Sequence, residues 1–307
     1  MTDVLDTELD AGLVQSSVVD GAPIYSPARR AWRRFRRNKL AMGGLIALTI
    51  LVLASLLAPW LAMDPTAIDL GAVLDPPSRD HWLGTDQAGR DVLARLLWGG
   101  RVSLTIGFAA AFSTVLVGAI LGLLAGYRGG VTDWFIMRLV EIVLSFPSLV
   151  LIIFFVTLLG RNLASIILVM VLFQWPLSCR LVRNMTVSIK EWEFVQAARG
   201  FGAGGLHTTL RHILPGVVGP LTVAGTLLAA TAILLESALS FLGFGISPPT
   251  ATWGGILNEA QSLTIIETMP WLWIPAGALI TVTVLSINFV GDGLRDALDP
   301  RLNDLRE

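Results

Sequence analysis

Six apolar stretches, each long enough to cross a bilayer, constrain this chain more than any other feature of its sequence. A helix needs about 20 apolar residues to span a hydrocarbon core of about 30 Å. The stretches cover approximately residues 40–63, 102–126, 134–159, 163–181, 217–245 and 271–290. Because 54% of the 307 residues are hydrophobic and only 15% are charged, a soluble domain is excluded. The sequence therefore predicts an all-α polytopic membrane protein with six transmembrane helices.

Prolines predict interruptions in two of these stretches. Pro147 lies in the third stretch and Pro176 in the fourth, and each removes a backbone hydrogen bond from a helix interior. We expect a kink or break at both positions, with the freed carbonyl satisfied by neighbouring helices. The second stretch is rich in glycine and alanine, which lets helices approach closely, so we expect it inside the bundle.

The distribution of basic residues predicts the orientation in the membrane. If the chain crosses the membrane six times, 17 of the 22 lysines and arginines lie on the same side of the membrane as the N-terminus. Seven of these lie between Arg29 and Lys39. The positive-inside rule then places both termini and the polar segment 193–215 in the cytoplasm. The basic run is expected to contact anionic headgroups, and an apolar span follows it directly, which disfavours nucleic-acid binding. Residues 1–28 carry five acids and no base and are expected to form a disordered cytoplasmic tail before a membrane domain over 29–307.

The polar loop at 64–100 combines helical and charged features. Apolar residues from Val92 onward repeat at helical spacing and predict a short amphipathic helix on the outer surface. Just before it lie four side chains that could resemble a metal or catalytic cluster: His81, Asp86, Arg90 and Asp91. We interpret this group as a capped loop held by ion pairs, since such a structural role is much commoner.

The residues needed for an enzyme or a resident metal site are missing. A phosphate-binding loop places lysine after glycine, whereas Lys39 follows Asn38 and Lys190 follows Ile189. All three histidines lie outside the apolar stretches, and the single Cys179 excludes an internal disulfide. We expect no catalytic centre, no bound cofactor and no metal in this chain.

Two acidic residues lie within apolar stretches, where an ionised carboxylate costs about 2.5–3.5 kcal/mol at mid-span. Glu141 follows Arg138 by three residues, which predicts an ion pair along one helix. Glu236 has no basic neighbour in its own stretch. It either faces a water-filled path or hydrogen-bonds to another helix, and the sequence does not separate these alternatives.

The segment 193–215 is a polar island between two apolar stretches. Its first half predicts a short helix with one apolar stripe formed by Phe194, Val195, Ala198 and Phe201. Gly202, Gly204 and Gly205 break this helix, and a second short helix is expected at 206–213, stopped by Pro215. The periodicity alone also fits an amphipathic loop that rests on lipid headgroups.

This segment resembles the EAA loop of ABC-importer permeases. The matching residues, at the family's spacing, are Gln196, Ala197, Ala198, Gly202, Leu214 and Pro215. Gln196 stands where the pattern has glutamate and His212 where it has isoleucine. The strings HWLGTD, GRDVLARLLWG, ESALSFLGFG and GDGLRDALDPRL resemble further hallmarks of the dipeptide, oligopeptide and nickel branch.

The resemblance implies a type I importer permease fold in which this segment is a cytoplasmic coupling helix. The residues implied to contact an ATPase are Glu193, Phe194, Gln196, Ala197, Ala198, Phe201, Gly202, Leu214 and Pro215. Candidates for the path or for helix packing are Glu141, Pro147, Pro176 and Glu236.

The implied partners are a second related permease, two ATPase subunits that bind ATP and magnesium, and an extracytoplasmic solute-binding protein in a prokaryotic plasma membrane. Peptides are the expected substrate, with nickel or another small solute as the alternative. A non-transporting scaffold would not need the docking loop, and an ion-coupled carrier should cluster ionisable groups at the midplane.

Overall fold

The computed structural model describes residues 27–298 and is built from helices. Their bounds are α1 Pro27–Arg37, α2 Lys39–Leu56, α3 Ala58–Leu61, α4 Val92–Arg128, α5 Gly130–Leu144, α6 Ser148–Leu159, α7 Leu163–Lys190, α8 Glu193–Gly200, α9 Gly205–Thr208, a π-helical turn Thr209–Ile213, α10 Leu214–Phe241, α11 Trp253–Glu259, α12 Leu263–Thr268 and α13 Pro270–Leu298. The acidic tail predicted to be disordered lies almost entirely outside the described residues.

Long apolar helices dominate the described part of the chain. Five are long and apolar enough to cross a membrane: α2, α4, α7, the continuous run from α9 into α10, and α13. The pair α5 and α6 passes the same test together but is bent by 87°, which gives a sixth span if the pair counts as one. The prediction of an all-α polytopic fold is confirmed.

Helix α4 begins at Val92 and runs without a break to Arg128. The separate amphipathic helix predicted on the outer surface is therefore wrong, because its residues form the first turns of this 37-residue helix. Asp91 caps the helix, since its side chain accepts a 2.7 Å hydrogen bond from the backbone N–H of Ala94. No proline follows before Gly129, so nothing in the local sequence ends the helix earlier.

The two prolines predicted to interrupt helices behave differently. Helix α5 ends at Leu144 and α6 begins at Ser148, so the break predicted at Pro147 is confirmed. The break predicted at Pro176 is wrong, because α7 continues through this buried residue. A transmembrane helix tolerates an internal proline where neighbouring elements support the backbone, and α7 packs closely along α4 in this region.

Glycines on α4 make that close packing possible. A Cβ added at Gly122 would lie 2.6 Å from the carbonyl oxygen of Cys179, and one at Gly126 would lie 2.6 Å from the Cβ of Thr186. Both distances are shorter than carbon side chains allow, so only glycine fits. As predicted from its small residues, α4 lies inside the bundle, between α7, α10 and α2, while α13 packs against α10, α2 and α1.

Candidate functional site

The segment 193–215 forms two short helices at one end of the bundle, and one side chain anchors the first of them. Val195 on α8 is completely buried. It packs in a cluster with Ile189 at the end of α7, Ile213 at the end of the π-helical turn and Val217 at the beginning of α10. The helix is therefore fastened to both spans that flank it. We call this segment the coupling loop.

The outer face of α8 presents phenyl rings to the surroundings. Phe194 is 51% exposed and Phe201 is 93% exposed, although both are large and apolar. The apolar stripe predicted from the sequence is thus divided, because Val195 turns toward the bundle and the two phenylalanines turn away from it. Ala198 is half-buried, and Glu193, Gln196 and Ala197 are exposed. Such an exposed apolar pair is typical of a surface that contacts another molecule.

A glycine in the left-handed region makes the turn after α8. Gly202 has a φ of +86° and lies where the sequence predicted the helix to break. A Cβ placed there would meet no atom within 4 Å. The requirement for glycine is therefore conformational, since other L-residues rarely adopt this φ. Gly204, by contrast, has an ordinary φ of −64°.

The second half of the coupling loop continues into the following span. Helix α9, the π-helical turn and α10 follow one another without a gap, so the stop predicted at Pro215 is wrong. Pro215 is the second residue of α10 and directly follows the π-helical turn, so it lies inside this continuous run. Leu214 is half-buried and Pro215 is exposed. The loop and α10 therefore form one mechanically continuous unit.

Aromatic rings connect the two halves of the coupling loop. The ring centroids of Phe194 and His212 lie 6.3 Å apart, and those of His207 and His212 lie 5.9 Å apart. His212 is the residue that replaces the family's isoleucine. The sequence analysis missed this contact, because the π-helical turn that brings the rings together has no simple sequence signal.

At the opposite end of the bundle, ion pairs fix the loop that precedes α4. The ring Nδ1 of His81 lies 3.0 Å from an oxygen of Asp91. Arg90 donates to Asp86 at 2.8 Å. The ion pair of Arg90 with Asp86, the hydrogen bond between His81 and Asp91 and the cap that Asp91 forms on α4 confirm the interpretation of this group as a structural, capped loop.

Two further residues extend this network, and sequence reasoning missed both. Arg95 on α4, whose side chain is 5% exposed, contacts Asp86 and donates to Glu259 on α11 at 2.8 Å. Arg90 also reaches Glu259, at 3.1 Å. The pairing of Arg95 and Glu259 spans 164 residues, so local spacing gave no indication of it. We call Asp86, Arg90, Arg95 and Glu259 the outer ion-pair network.

The two acids within the apolar stretches have different surroundings. Glu141 accepts a 2.8 Å hydrogen bond from Arg138, and both side chains are about half exposed, at 54% and 55%. The predicted i, i+3 pair is confirmed. Such exposed pairs contribute little to stability, about 0–1 kcal/mol.

Glu236 is completely buried on α10. Ser240, one turn further on, donates a 2.7 Å hydrogen bond to one of its carboxyl oxygens. The side chains that also face the carboxyl group are Ser103 from α4, Ser237, and Thr252 just before α11. The Ser103 hydroxyl oxygen accepts a 3.2 Å hydrogen bond from the backbone N–H of Trp253, which leaves its own proton available to donate. The hydrogen bond from Ser240 lies within α10, whereas Ser103 and Thr252 bring hydroxyl groups from outside this helix to the same carboxyl group.

The features described above define the class of protein. Long apolar helices, packed through small residues, carry an exposed aromatic loop at one end and an ion-paired cap at the other. The molecule is a multi-pass helical membrane protein with exposed aromatic side chains on the segment between two of its spans.

Comparison with known proteins identifies the family. Residues 118–304 match the family described as binding-protein-dependent transport system inner membrane component. Residues 26–77 match the N-terminal TM domain of oligopeptide transport permease C. The chain therefore belongs to the family of inner-membrane components of binding-protein-dependent transport systems.

Named relatives are similar over nearly their whole length. The oligopeptide transport system permease protein OppC of Bacillus subtilis (strain 168) is 41% identical over 289 residues, 92% of this chain and 94% of the relative. The dipeptide transport system permease protein DppC of Alkalihalophilus pseudofirmus is 40% identical over 278 residues, 90% of this chain and 91% of the relative. The OppC protein of Haemophilus influenzae is 38% identical over 294 residues, 95% of this chain and 93% of the relative.

Proposed function

We propose that this chain is a permease subunit of an ATP-driven importer and forms part of the translocation path for di- or oligopeptides. The observation that carries the proposal is the coupling loop. It exposes Phe194 and Phe201 while Val195 fastens it to the bundle. Family membership and the names of the relatives agree with this function.

The coupling loop supports a mechanical role. A groove on an ATPase subunit would receive Phe194, Ala198 and Phe201, and a movement of that groove would displace α8. Val195 is packed against the ends of α7 and α10, and α9 runs directly into α10. The displacement is therefore passed to two spans without a flexible joint. Packed elements of this kind transmit movement as rigid bodies, which is the requirement for alternating access.

The energy source lies outside this chain. Its two lysines do not occur in a phosphate-binding loop, so ATP and magnesium would bind to two partner ATPase subunits. A second, related permease would complete the path, and an extracytoplasmic solute-binding protein would deliver the substrate. The chain itself has no enzymatic role in this scheme.

The proposed location is the plasma membrane of a prokaryote, with both termini and the coupling loop in the cytoplasm. The count of 17 basic residues on that side against 5 on the other supports the orientation. The contact between Gly205 and Tyr127 brings the end of α4 to the coupling loop, so the beginning of α4 faces outward.

Peptide uptake by the complete assembly tests the function. The chain would be reconstituted in proteoliposomes with its partner permease, ATPase subunits and binding protein, and the uptake of a radiolabelled dipeptide and of ⁶³Ni²⁺ would be measured. We expect ATP-dependent accumulation of the peptide, lost when this chain is left out. ATP-dependent accumulation of nickel alone would contradict the peptide assignment, and no ATP-dependent uptake of either would contradict the transport role.

A further inference from the structure

A recess of about 650 Å³ lies at the end of the bundle opposite the coupling loop. Three separate segments form its walls, at residues 59–66, 98–102 and 249–251. The first follows α2, the second belongs to the first turns of α4, and the third precedes α11. Its volume falls within the range of about 300–1,000 Å³ that is usual for small-molecule sites. The coupling loop contributes nothing to it.

The wall formed by α4 carries a cation that no carboxylate neutralises. The guanidinium group of Arg101 lies 5.4 Å from the centre of the Trp98 ring, and no acidic group among the described residues lies within ion-pair distance of it. Arg90 and Arg95, its neighbours in sequence, are both paired with Asp86 and Glu259. Trp98 also keeps a buried indole N–H that has no hydrogen-bond partner within residues 27–298.

The wall that follows α2 carries an anion. Asp64 accepts two hydrogen bonds from Thr66, at 2.6 Å from the hydroxyl and 2.8 Å from the backbone N–H. These bonds lower the pKa of Asp64 below its ordinary value, so the carboxylate is ionised at neutral pH. It pairs with no cation in the described part of the chain. One cationic and one anionic residue thus line the same recess on different walls, and neither forms an ion pair within residues 27–298.

We propose that this recess binds a small zwitterion, with an ammonium group at Asp64 and a carboxylate or phosphate group at Arg101. A purely anionic ligand would leave Asp64 as a repulsive neighbour, and a purely cationic one would do the same with Arg101. Two sources share the required chemistry: a free short peptide, and the phosphoethanolamine headgroup of a membrane lipid. The site lies outside the coupling loop, and its occupation does not depend on the proposed import.

Direct binding to the full-length chain in nanodiscs tests the site and separates the two sources. In phosphatidylglycerol nanodiscs, radiolabelled dialanine is titrated and compared with its neutral, acetylated and amidated form. In nanodiscs with a minority of phosphatidylethanolamine, native mass spectrometry measures how much of that lipid stays with the protein. The variants are Arg101→Gln and Asp64→Asn. Arg79→Gln and Asp80→Asn are matched controls, since both residues are exposed, lie on the same side and do not line the recess.

We expect saturable binding of either dialanine or phosphatidylethanolamine. Arg101→Gln and Asp64→Asn should each weaken this binding about tenfold, which is the size expected for the loss of one charge-assisted hydrogen bond. The controls should stay within about twofold, since an exposed charge outside the recess contributes little. The charge-exchanged variant Arg101→Asp with Asp64→Arg should regain binding of dialanine, because a free zwitterion can bind in the reverse orientation, and should not regain binding of the lipid, whose phosphate is fixed to its membrane anchor. Absence of saturable binding of either probe, or binding that is equal in the wild type and the two single variants, would overturn the proposal.

Discussion

At the residue scale, a few side chains and one backbone angle carry most of the functional argument. Gly202 adopts a φ of +86° with open space around it, so its role is to turn the chain and not to admit a neighbour. Glu236 is a buried carboxyl group among hydroxyl groups from α4, α10 and the segment before α11. At each position, a pair of matched substitutions distinguishes the proposed role of the residue from a general loss of folding.

Gly202→Val should uncouple the chain from ATP hydrolysis while leaving its insertion intact. A β-branched residue at positive φ costs about 1–2 kcal/mol or more, and the turn between α8 and α9 would change to relieve it. Peptide uptake by the reconstituted importer should fall several-fold. Gly204→Val is the matched control, because Gly204 has a φ of −64° and equal space for a side chain. Equal uptake by the two variants would show that the geometry of this turn is unimportant.

Glu236→Leu should destabilise the protein more than Glu236→Gln. Leucine would leave the buried hydroxyl group of Ser240 without its acceptor, at about 1–3 kcal/mol. Glutamine keeps an acceptor for Ser240 and adds a donor. Thermal unfolding of the purified variants in detergent measures the difference. If the leucine variant melts at the wild-type temperature, the polar cluster does not contribute to stability.

At the element scale, the structure links segments that are distant in the sequence. The outer ion-pair network joins the loop before α4 to α4 and to α11. The coupling loop joins α7 to α10. The outer ion-pair network therefore joins helices at one end of the bundle and the coupling loop joins helices at the other, and the apolar helices connect the two ends.

Arg95→Met should destabilise the outer ion-pair network. Breaking a buried pair by removing one partner costs about 3–5 kcal/mol, and the lower end applies here because Glu259 is 32% exposed. We expect a lower melting temperature for the purified protein and faster proteolysis of the loop at 64–91. Arg79→Met, at an exposed position on the same side, should change neither. The double variant Arg95→Met, Glu259→Gln should lose less than the sum of the single variants, since the orphaned carboxylate is then neutralised.

Sequence patterns predicted the elements better than their connections. Apolar length predicted the spans, and the breaks at Pro147 and Gly202 were predicted from residue chemistry. The same reasoning failed at Pro176 and Pro215, because the effect of a proline depends on what packs around it and on its position in a turn. It also missed the pairing of Arg95 with Glu259 and the contact of His212 with Phe194. Both arise from tertiary contacts, which periodicity cannot show.

At the scale of the whole molecule, the account requires the two ends of the bundle to lie on opposite sides of the membrane. Ser262, just before α12, and Leu206, in the coupling loop, are both exposed. A cysteine at Ser262 should react with an impermeant thiol reagent added outside intact cells, and one at Leu206 should react only after the cells are opened. The native Cys179 is buried and should stay silent. Reaction of the Leu206 cysteine from outside would contradict the proposed orientation.

The central claim is that the coupling loop is where the ATPase subunits bind. Copurification of the ATPase subunits with a tagged Phe201→Asp variant tests it most directly, because Phe201 is 93% exposed and its replacement disturbs no packing in the bundle. The matched control is Trp82→Asp, which changes an aromatic residue that is 73% exposed at the opposite end. We expect that most of the ATPase no longer copurifies with Phe201→Asp, whereas it still copurifies with Trp82→Asp. Wild-type retention by Phe201→Asp would contradict the coupling assignment.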